Sequence, residues 1–170
     1  MVPYAELKAM HDDPDVRAAL ESPQVKLWVV EEALREGFPL SEVSECISWR
    51  DFEELVTEIL AEHGYTVRRN YVIRRPRRRE IDVLAERGGV RLAIDCKNWV
   101  VKLTPSRIRE IASRHAERCR FLKGPRAIPV VVTIHPCGVL SEEGVYFVSI
   151  DQLRYFVEHV VPSIAAGDAI

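Results

Sequence analysis

The sequence predicts an α/β domain in which helices flank a mixed β-sheet on both sides, preceded by a helical N-terminal extension. Three observations predict this fold. From residue 49 to about residue 160 the apolar pattern passes from a helix to three strands, then to a helix, two strands and a helix. A Gly-Gly pair separates two of the strands, and an unbroken apolar run at 130–134 is typical of a strand buried on both faces. The chain of 170 residues, 47% of them hydrophobic, can bury such a core.

Residues 1–48 form the predicted extension of short helices. Ser22-Pro23 has the form of a helix N-cap followed by proline in the first turn, and a second, acidic helix follows. We expect this extension to pack against the protein or to mediate dimerisation. A DNA-reading helix-turn-helix is the weaker alternative, because Glu42 and Glu45 on the second helix would repel phosphates.

Residues 49–170 form the predicted α/β domain, which begins with an amphipathic helix. Ser48 and Asp51 have the spacing of a capping box, and Gly64 ends the helix. Thr104-Pro105 begins a second helix that ends by Gly124-Pro125, and Ser149 caps a last one. The strands between these helices are predicted at residues 65–75, 80–85, 90–97, 130–134 and 145–148.

Two neighbouring strands each carry an aspartate among apolar residues, Asp82 in the first and Asp95 in the second. The tight Gly88-Gly89 turn makes these strands antiparallel neighbours, so the two carboxylates should lie close together. Burying a carboxylate in a sheet is costly unless a cation compensates. Two adjacent carboxylates repel each other but are good ligands for a hard divalent cation, so the pair indicates a site for Mg²⁺ or Mn²⁺.

Lys97 and Glu53 extend this acidic pair. Residues i and i+2 of a strand point to the same face, so Lys97 projects beside Asp95, where its side chain can orient a water or, as the neutral amine, deprotonate it, and as the ammonium can offset phosphate charge. Glu53 flanks the apolar stripe of the first helix and can reach the sheet edge as a further acidic ligand. An Asp-x-Lys pair alone is more often an exposed salt bridge. Here Asp82 lies on the neighbouring strand and Glu53 on the preceding helix, where both could meet the pair, and this favours a metal site.

In this order, these motifs resemble the PD-(D/E)XK nuclease superfamily, most nearly its Mrr-like restriction endonucleases and more loosely archaeal Holliday-junction resolvases. The similarity covers roughly residues 49–160. The stretch 52–56 is similar to the family's first helix, 80–83 to its strand with the aspartate, and 94–97 to its (D/E)-x-K strand. The resemblance implies a restriction-endonuclease-like α/β fold.

The resemblance also implies residue roles: Asp82 and Asp95 bind Mg²⁺, Lys97 assists the attacking water, and Glu53 completes the site. Two departures leave the subfamily and the substrate open. The arginine-rich run at 74–79 stands where a glycine-rich turn is usual, and Ile81 stands where a proline commonly precedes the aspartate.

Basic residues are concentrated in one part of the chain. Residues 67–126 carry 18 basic and six acidic side chains, although the whole chain has a net charge of −2. This block predicts a polyanionic partner, and two arginine groups beside the proposed metal site are expected to hold a DNA backbone. The groups are Arg68, Arg69, Arg74, Arg75, Arg77, Arg78 and Arg79 on the strand and turn before Asp82, and Arg107, Arg114 and Arg118 on one helix face. A solvated charged hairpin is the alternative for the run at 74–79.

These observations predict a Mg²⁺-dependent DNA endonuclease of restriction or repair type, Mrr-like or selective for DNA structure. A homodimer is expected, because cutting a duplex takes two incisions. No apolar run is long enough to cross a membrane and the start does not resemble a signal peptide, so a cytoplasmic location is expected. Two alternatives stay open: a non-catalytic DNA-binding or scaffolding subunit with this fold, and a nuclease that acts on RNA.

Overall fold

The computed structural model describes residues 48–97, 103–134 and 136–167, together with four single residues earlier in the chain, at positions 14, 22, 25 and 28. The predicted N-terminal helices therefore lie almost entirely outside the described residues. The chain divides into two compact units, residues 1–55 and 56–170. No helix in the described part of the chain is long and apolar enough to cross a membrane.

The second unit contains a six-stranded mixed sheet with the order β1-β2-β3-β4-β6-β5. The strands β3, β4 and β6 run parallel, and the pairs β1–β2, β2–β3 and β5–β6 are antiparallel. The predicted α/β fold with a mixed sheet and flanking helices is confirmed, whereas the two-residue strand β5 was not predicted. The strands are β1 (Thr66–Ile73), β2 (Arg79–Arg87), β3 (Val90–Lys97), β4 (Ala127–Thr133), β5 (Ser141–Glu142) and β6 (Val145–Ser149).

The hairpin between β2 and β3 sets the register on which the site depends. Gly88 and Gly89 have φ values of +56° and +82°, and a two-residue turn with both residues in this left-handed region favours glycine. The turn pairs Arg87 with Val90, and the antiparallel register continues from there along both strands.

Two longer helices are described, α1 (Trp49–Glu62) and α2 (Pro105–Arg120). The predicted capping box of α1 is present: Ser48 N–H donates to Asp51 Oδ2 at 3.1 Å, and Asp51 N–H donates to Ser48 Oγ at 3.2 Å. Thr104 Oγ1 caps α2 by accepting from Arg107 N–H at 3.4 Å. Helix α2 ends at Arg120, a few residues before the predicted Gly124-Pro125 stop.

The predicted last helix is irregular. Ser149 is its N-cap residue, but its hydroxyl donates to the side chain of Gln152 at 3.1 Å instead of capping a backbone N–H. The segments after it are a 3₁₀ turn (Ile150–Gln152), α3 (Leu153–Tyr155), a π-helical turn (Phe156–Val160) and α4 (Val161–Ala166).

Helix α2 crosses one face of the sheet. Its first half packs Ile108 and Ile111 against β4 and β6, and its C-terminal end packs Cys119 and Phe121 near β2 and β1. Ala93 of β3 belongs to this same core. Because side chains two residues apart in a strand share a face, the residues of β3 that follow Ala93 at this spacing also face α2.

Candidate active site

Asp82 and Asp95 lie on the neighbouring strands β2 and β3. The antiparallel pairing of these strands ends with Val83 opposite Ile94, and Asp82 and Asp95 are the next residues on the two strands. Beyond this pair the strands are joined through a side chain: Cys96 N–H donates a hydrogen bond to Asp82 Oδ2 at 2.8 Å. The two aspartates therefore lie on adjacent strands where their pairing ends, with Asp82 bonded to the residue that follows Asp95.

On the other side of β2, strand β1 is irregular at the position opposite Asp82. The pairing passes from Arg69–Val83 to Tyr71–Ile81, and the intervening Asn70 has a φ of +51°. Asparagine is one of the few residues other than glycine that adopts this left-handed conformation readily. The local break in β1 therefore coincides with the proposed site.

Asp95 is almost fully buried, with 1% of its side chain exposed. Its Oδ2 lies 3.0 Å from Lys97 Nζ and 2.9 Å from Arg118 Nη2, and its Oδ1 has no hydrogen-bond partner among the described residues. Burial tends to raise the pKa of Asp95, but the positive charges of Lys97 and Arg118 outweigh it and hold the pKa below its usual value. Asp95 is therefore ionised at neutral pH.

The contact between Arg118 and Asp95 was not predicted. Arg107 and Arg114, which share a helix face with Arg118, both pair with Glu110 at the surface, at 2.6 and 2.7 Å. Arg118 points to Asp95 instead and is only 26% exposed. It follows the buried Ile111 by seven residues, nearly two helical turns, and so stands at the border of the buried face. That spacing is the signal in the sequence from which its inward position could have been predicted.

His115 connects α2 to β3 close to this site. It is fully buried, and its Nε2 lies 2.8 Å from the carbonyl oxygen of Ala93. Because a carbonyl only accepts, Nε2 carries the hydrogen, and in the neutral ring Nδ1 is then unprotonated. Burial lowers the pKa of His115 despite the attraction of Asp95, which keeps the ring neutral. This bond joins α2 to the strand two residues before Asp95.

Glu53, the fourth predicted member of the site, lies in α1 with 7% of its side chain exposed. Its Oε1 accepts a hydrogen bond from Trp49 Nε1. Glu53 belongs to the unit of residues 1–55, whereas Asp82, Asp95 and Lys97 belong to the unit of residues 56–170. Its participation in the site stays a prediction.

The arginines before Asp82 differ in their surroundings. Arg79 is anchored: it pairs with Glu117 at 2.7 Å and its guanidinium carbon lies 4.1 Å from the centre of the Phe121 ring. Arg69 is half-buried. The other five have exposed side chains, which leaves them accessible to a polyanion: Arg68, Arg74, Arg75, Arg77 and Arg78.

Asp82 and Asp95 fit a hard divalent cation. Mg²⁺ usually keeps several waters and is bound through one or two carboxylates, so two acids can suffice. Asp95 Oδ1 is a buried carboxylate oxygen without a hydrogen-bond partner in the described part of the chain, which suits a metal ligand. No group of three or more His, Cys, Asp or Glu side chains within residues 48–97, 103–134 and 136–167 is arranged to hold a metal.

Comparison with known proteins identifies the family. Over 117 residues the chain is 34% identical to an uncharacterized protein of Archaeoglobus fulgidus, covering 66% of this chain and 91% of that protein. Residues 44–123 match the family model of the Mrr catalytic domain, described as "Restriction endonuclease". The chain belongs to this restriction endonuclease family. The matched range includes Asp82, Asp95, Lys97 and Arg118, and the restriction endonuclease domain indicates a nuclease-type function.

Two solved structures are similar to this restriction endonuclease-like chain. One is titled "Crystal Structure of Protein of Unknown Function AF1548" and is 23% identical, with a TM-score of 0.46 over 58% of this chain and 57% of that chain. The other, protein VC1899 from Vibrio cholerae, is 13% identical, with a TM-score of 0.47 over 90% of this chain and 53% of that chain. This chain thus spans little more than half the length of either protein.

Proposed function

We propose that this protein is a divalent-metal-dependent DNA endonuclease whose catalytic centre is formed by Asp82, Asp95 and Lys97. The observation that carries the proposal is the environment of Asp95. Its buried carboxylate lies 3.0 Å from Lys97, on the strand next to that of Asp82, while Oδ1 has no hydrogen-bond partner among the described residues. A buried carboxylate with a purely structural role would be expected to satisfy both oxygens.

Asp82 and Asp95 would hold Mg²⁺ or Mn²⁺ between β2 and β3. Such an ion, when bound, makes water a nucleophile at neutral pH and stabilises the developing charge on the phosphate. Asp95 suits this role because its lowered pKa keeps it ionised. Asp82 is held in place by the hydrogen bond from Cys96 N–H, which orients its carboxylate.

Lys97 would position the attacking water and offset the charge of the phosphate. Its pairing with Asp95 restrains Nζ, and 23% of its side chain is exposed, so the ammonium group can also reach solvent and a bound phosphate. A restrained donor of this kind contributes to catalysis by orienting the nucleophile and by transferring a proton. We propose Glu53 as a further acid of this centre.

The exposed arginines would hold the DNA backbone, through Arg68, Arg74, Arg75, Arg77 and Arg78 before β2, with Arg107 and Arg114 on α2. Contacts of this kind weaken as salt rises and carry little sequence preference. A homodimer would bring two centres to a duplex and cut both strands. A role in restriction or DNA repair, in the cytoplasm, would suit this activity.

The test is the cleavage of end-labelled duplex, flap, branched and single-stranded DNA, and of an RNA duplex, in Mg²⁺, Mn²⁺ or EDTA. We expect a DNA substrate to be cut with metal and none in EDTA. Asp82→Asn and Asp95→Asn should lose cleavage while still binding DNA. Asp151→Asn is the matched control, because it makes the same change at an exposed position.

Two other outcomes would favour the alternatives. Tight DNA binding without metal-dependent cleavage of any substrate would point to a non-catalytic DNA-binding or scaffolding subunit. Preferential cleavage of the RNA duplex would point to an RNA nuclease.

A further inference from the structure

Two cations from different elements meet at one oxygen of a buried carboxylate. Lys97 reaches Asp95 Oδ2 from the same strand, at 3.0 Å, and Arg118 reaches it from α2, at 2.9 Å. The position of Lys97 beside Asp95 is explained by the Asp-x-Lys spacing of the strand. Arg118 adds a second positive charge that this spacing does not explain.

The position of Arg118 is set by well-packed contacts. His115, three residues earlier in α2, is hydrogen-bonded to the backbone of β3 at Ala93, and Glu117 pairs with Arg79 at the start of β2. Both contacts tie this part of α2 to the two strands that carry the aspartates. The guanidinium group is therefore held beside Asp95 by the fold, and its approach is not a chance orientation of a surface side chain.

Two positive charges already lie at Asp95 without a metal ion. Lys97 and Arg118 both contact its Oδ2, at 3.0 and 2.9 Å. A divalent cation that binds between the aspartates therefore meets two like charges close by, and the guanidinium of Arg118 is permanently charged.

We infer that Arg118 is the counter-ion of Asp95 in the metal-free protein and that it thereby lowers the affinity of the site for divalent cations. The inference rests on the proposed function, because it takes Asp82 and Asp95 as the metal-binding pair. Arg118 acts through Asp95 and is a positioning and charge-balancing residue. It stabilises the buried carboxylate of Asp95 until a metal binds, and it sets the metal concentration at which the centre fills.

The test compares wild type with Arg118→Gln, Arg118→Lys and Arg120→Gln, all prepared metal-free. Mn²⁺ affinity is measured by isothermal titration calorimetry without DNA, and the melting temperature is measured in EDTA and in saturating Mn²⁺. Arg120→Gln is the matched control, because it removes the same charge from the last turn of the same helix at an exposed position.

Arg118→Gln is expected to bind Mn²⁺ more tightly, on the order of tenfold, which is the effect of one unit charge near a divalent ion in a water-like dielectric. Its melting temperature in EDTA should fall, and its rise on adding Mn²⁺ should exceed that of wild type. Arg118→Lys keeps the charge, so its Mn²⁺ affinity and melting temperature should lie between those of wild type and Arg118→Gln. Both values for Arg120→Gln should match wild type. If Arg118→Gln folds only with Mn²⁺ present, the result also supports the inference, because the metal then replaces the missing counter-ion.

Three results would overturn the inference. Weaker or unchanged Mn²⁺ binding by Arg118→Gln, with normal binding by wild type, would overturn it and leave the proposed metal site intact. A variant that does not fold even with Mn²⁺ would show that Arg118 has a structural role beyond charge. Absence of Mn²⁺ binding by wild type would overturn the metal site of the proposed function and this inference together.

Discussion

Replacing Asp95 with asparagine tests the electrostatics of the site through stability, independently of cleavage. Asparagine has nearly the same shape but no charge, so Lys97 and Arg118 lose the partner that they share at 3.0 and 2.9 Å. Removing one partner of a buried ion pair costs about 3–5 kcal/mol when the remaining charge stays buried. Here the two cations are 23% and 26% exposed and regain part of their hydration. The free energy of unfolding of metal-free protein should therefore fall by about 2 kcal/mol.

The assay is urea denaturation in EDTA, followed by circular dichroism, for wild type, Asp95→Asn and the control Asp151→Asn. The folded-state pKa of Asp95 is lowered from 3.8, so its stabilisation is present above that value and is lost as the pH falls through the lower, folded-state pKa. The difference between wild type and Asp95→Asn should thus be full at neutral pH and shrink in strong acid. An Asp95→Asn protein as stable as wild type at neutral pH, or more stable, would refute the reasoning, because repulsion from Asp82 would then outweigh the two ion pairs.

Three further predictions concern catalysis, DNA binding and pH. Lys97→Ala should lower the single-turnover cleavage rate by roughly 10²–10⁴-fold with a much smaller change in DNA affinity, as expected for loss of a catalytic proton-transfer group; an unchanged rate would remove Lys97 from the mechanism. The double change of Arg77 and Arg78 to Gln should weaken DNA binding and reduce the slope of log K against log salt by about 0.9 for each lost phosphate contact, measured by fluorescence anisotropy; an unchanged slope would exclude these side chains from the interface. The pKa of His115 is lowered from 6.5 by burial, so its neutral form gives full stability above that value, and stability falls as the pH drops below it. His115→Gln keeps a donor for Ala93 without titrating, so its melting temperature should change less than that of wild type between about pH 7.5 and 5.5; parallel curves would contradict this.

The central pair of the site follows from local rules. A two-residue Gly-Gly turn permits one register for the hairpin, and that register puts Val83 opposite Ile94, the residues next to Asp82 and Asp95. The two-residue period of a strand then puts Lys97 beside Asp95, where the structure has it at 3.0 Å. The register and the Lys97–Asp95 contact depend on residues within one hairpin, so the sequence alone is sufficient to predict them.

The contacts that the sequence did not reveal join elements that are distant in the chain. Arg118 stands at the border of the buried face of α2, where a long side chain can point either to solvent or inward. Its inward direction depends on the buried carboxylate of Asp95, which lies on another element. Strand β5 has only two residues, too few for an alternating pattern. Glu53 lies on α1, far from the hairpin in the chain, so no local pattern specifies its distance from the aspartates, and its role is still a prediction.

The most direct test of the central claim is the single-turnover cleavage rate of a labelled DNA duplex as a function of Mg²⁺ concentration, for wild type and Asp82→Asn. Equal folding of the two proteins is checked first by circular dichroism. The wild-type rate should rise with Mg²⁺ and saturate, and the Asp82→Asn rate should stay at the EDTA background at every concentration. A wild-type rate that does not depend on Mg²⁺, or an Asp82→Asn protein that cuts as fast as wild type, would contradict the assignment of a metal-dependent centre at Asp82 and Asp95.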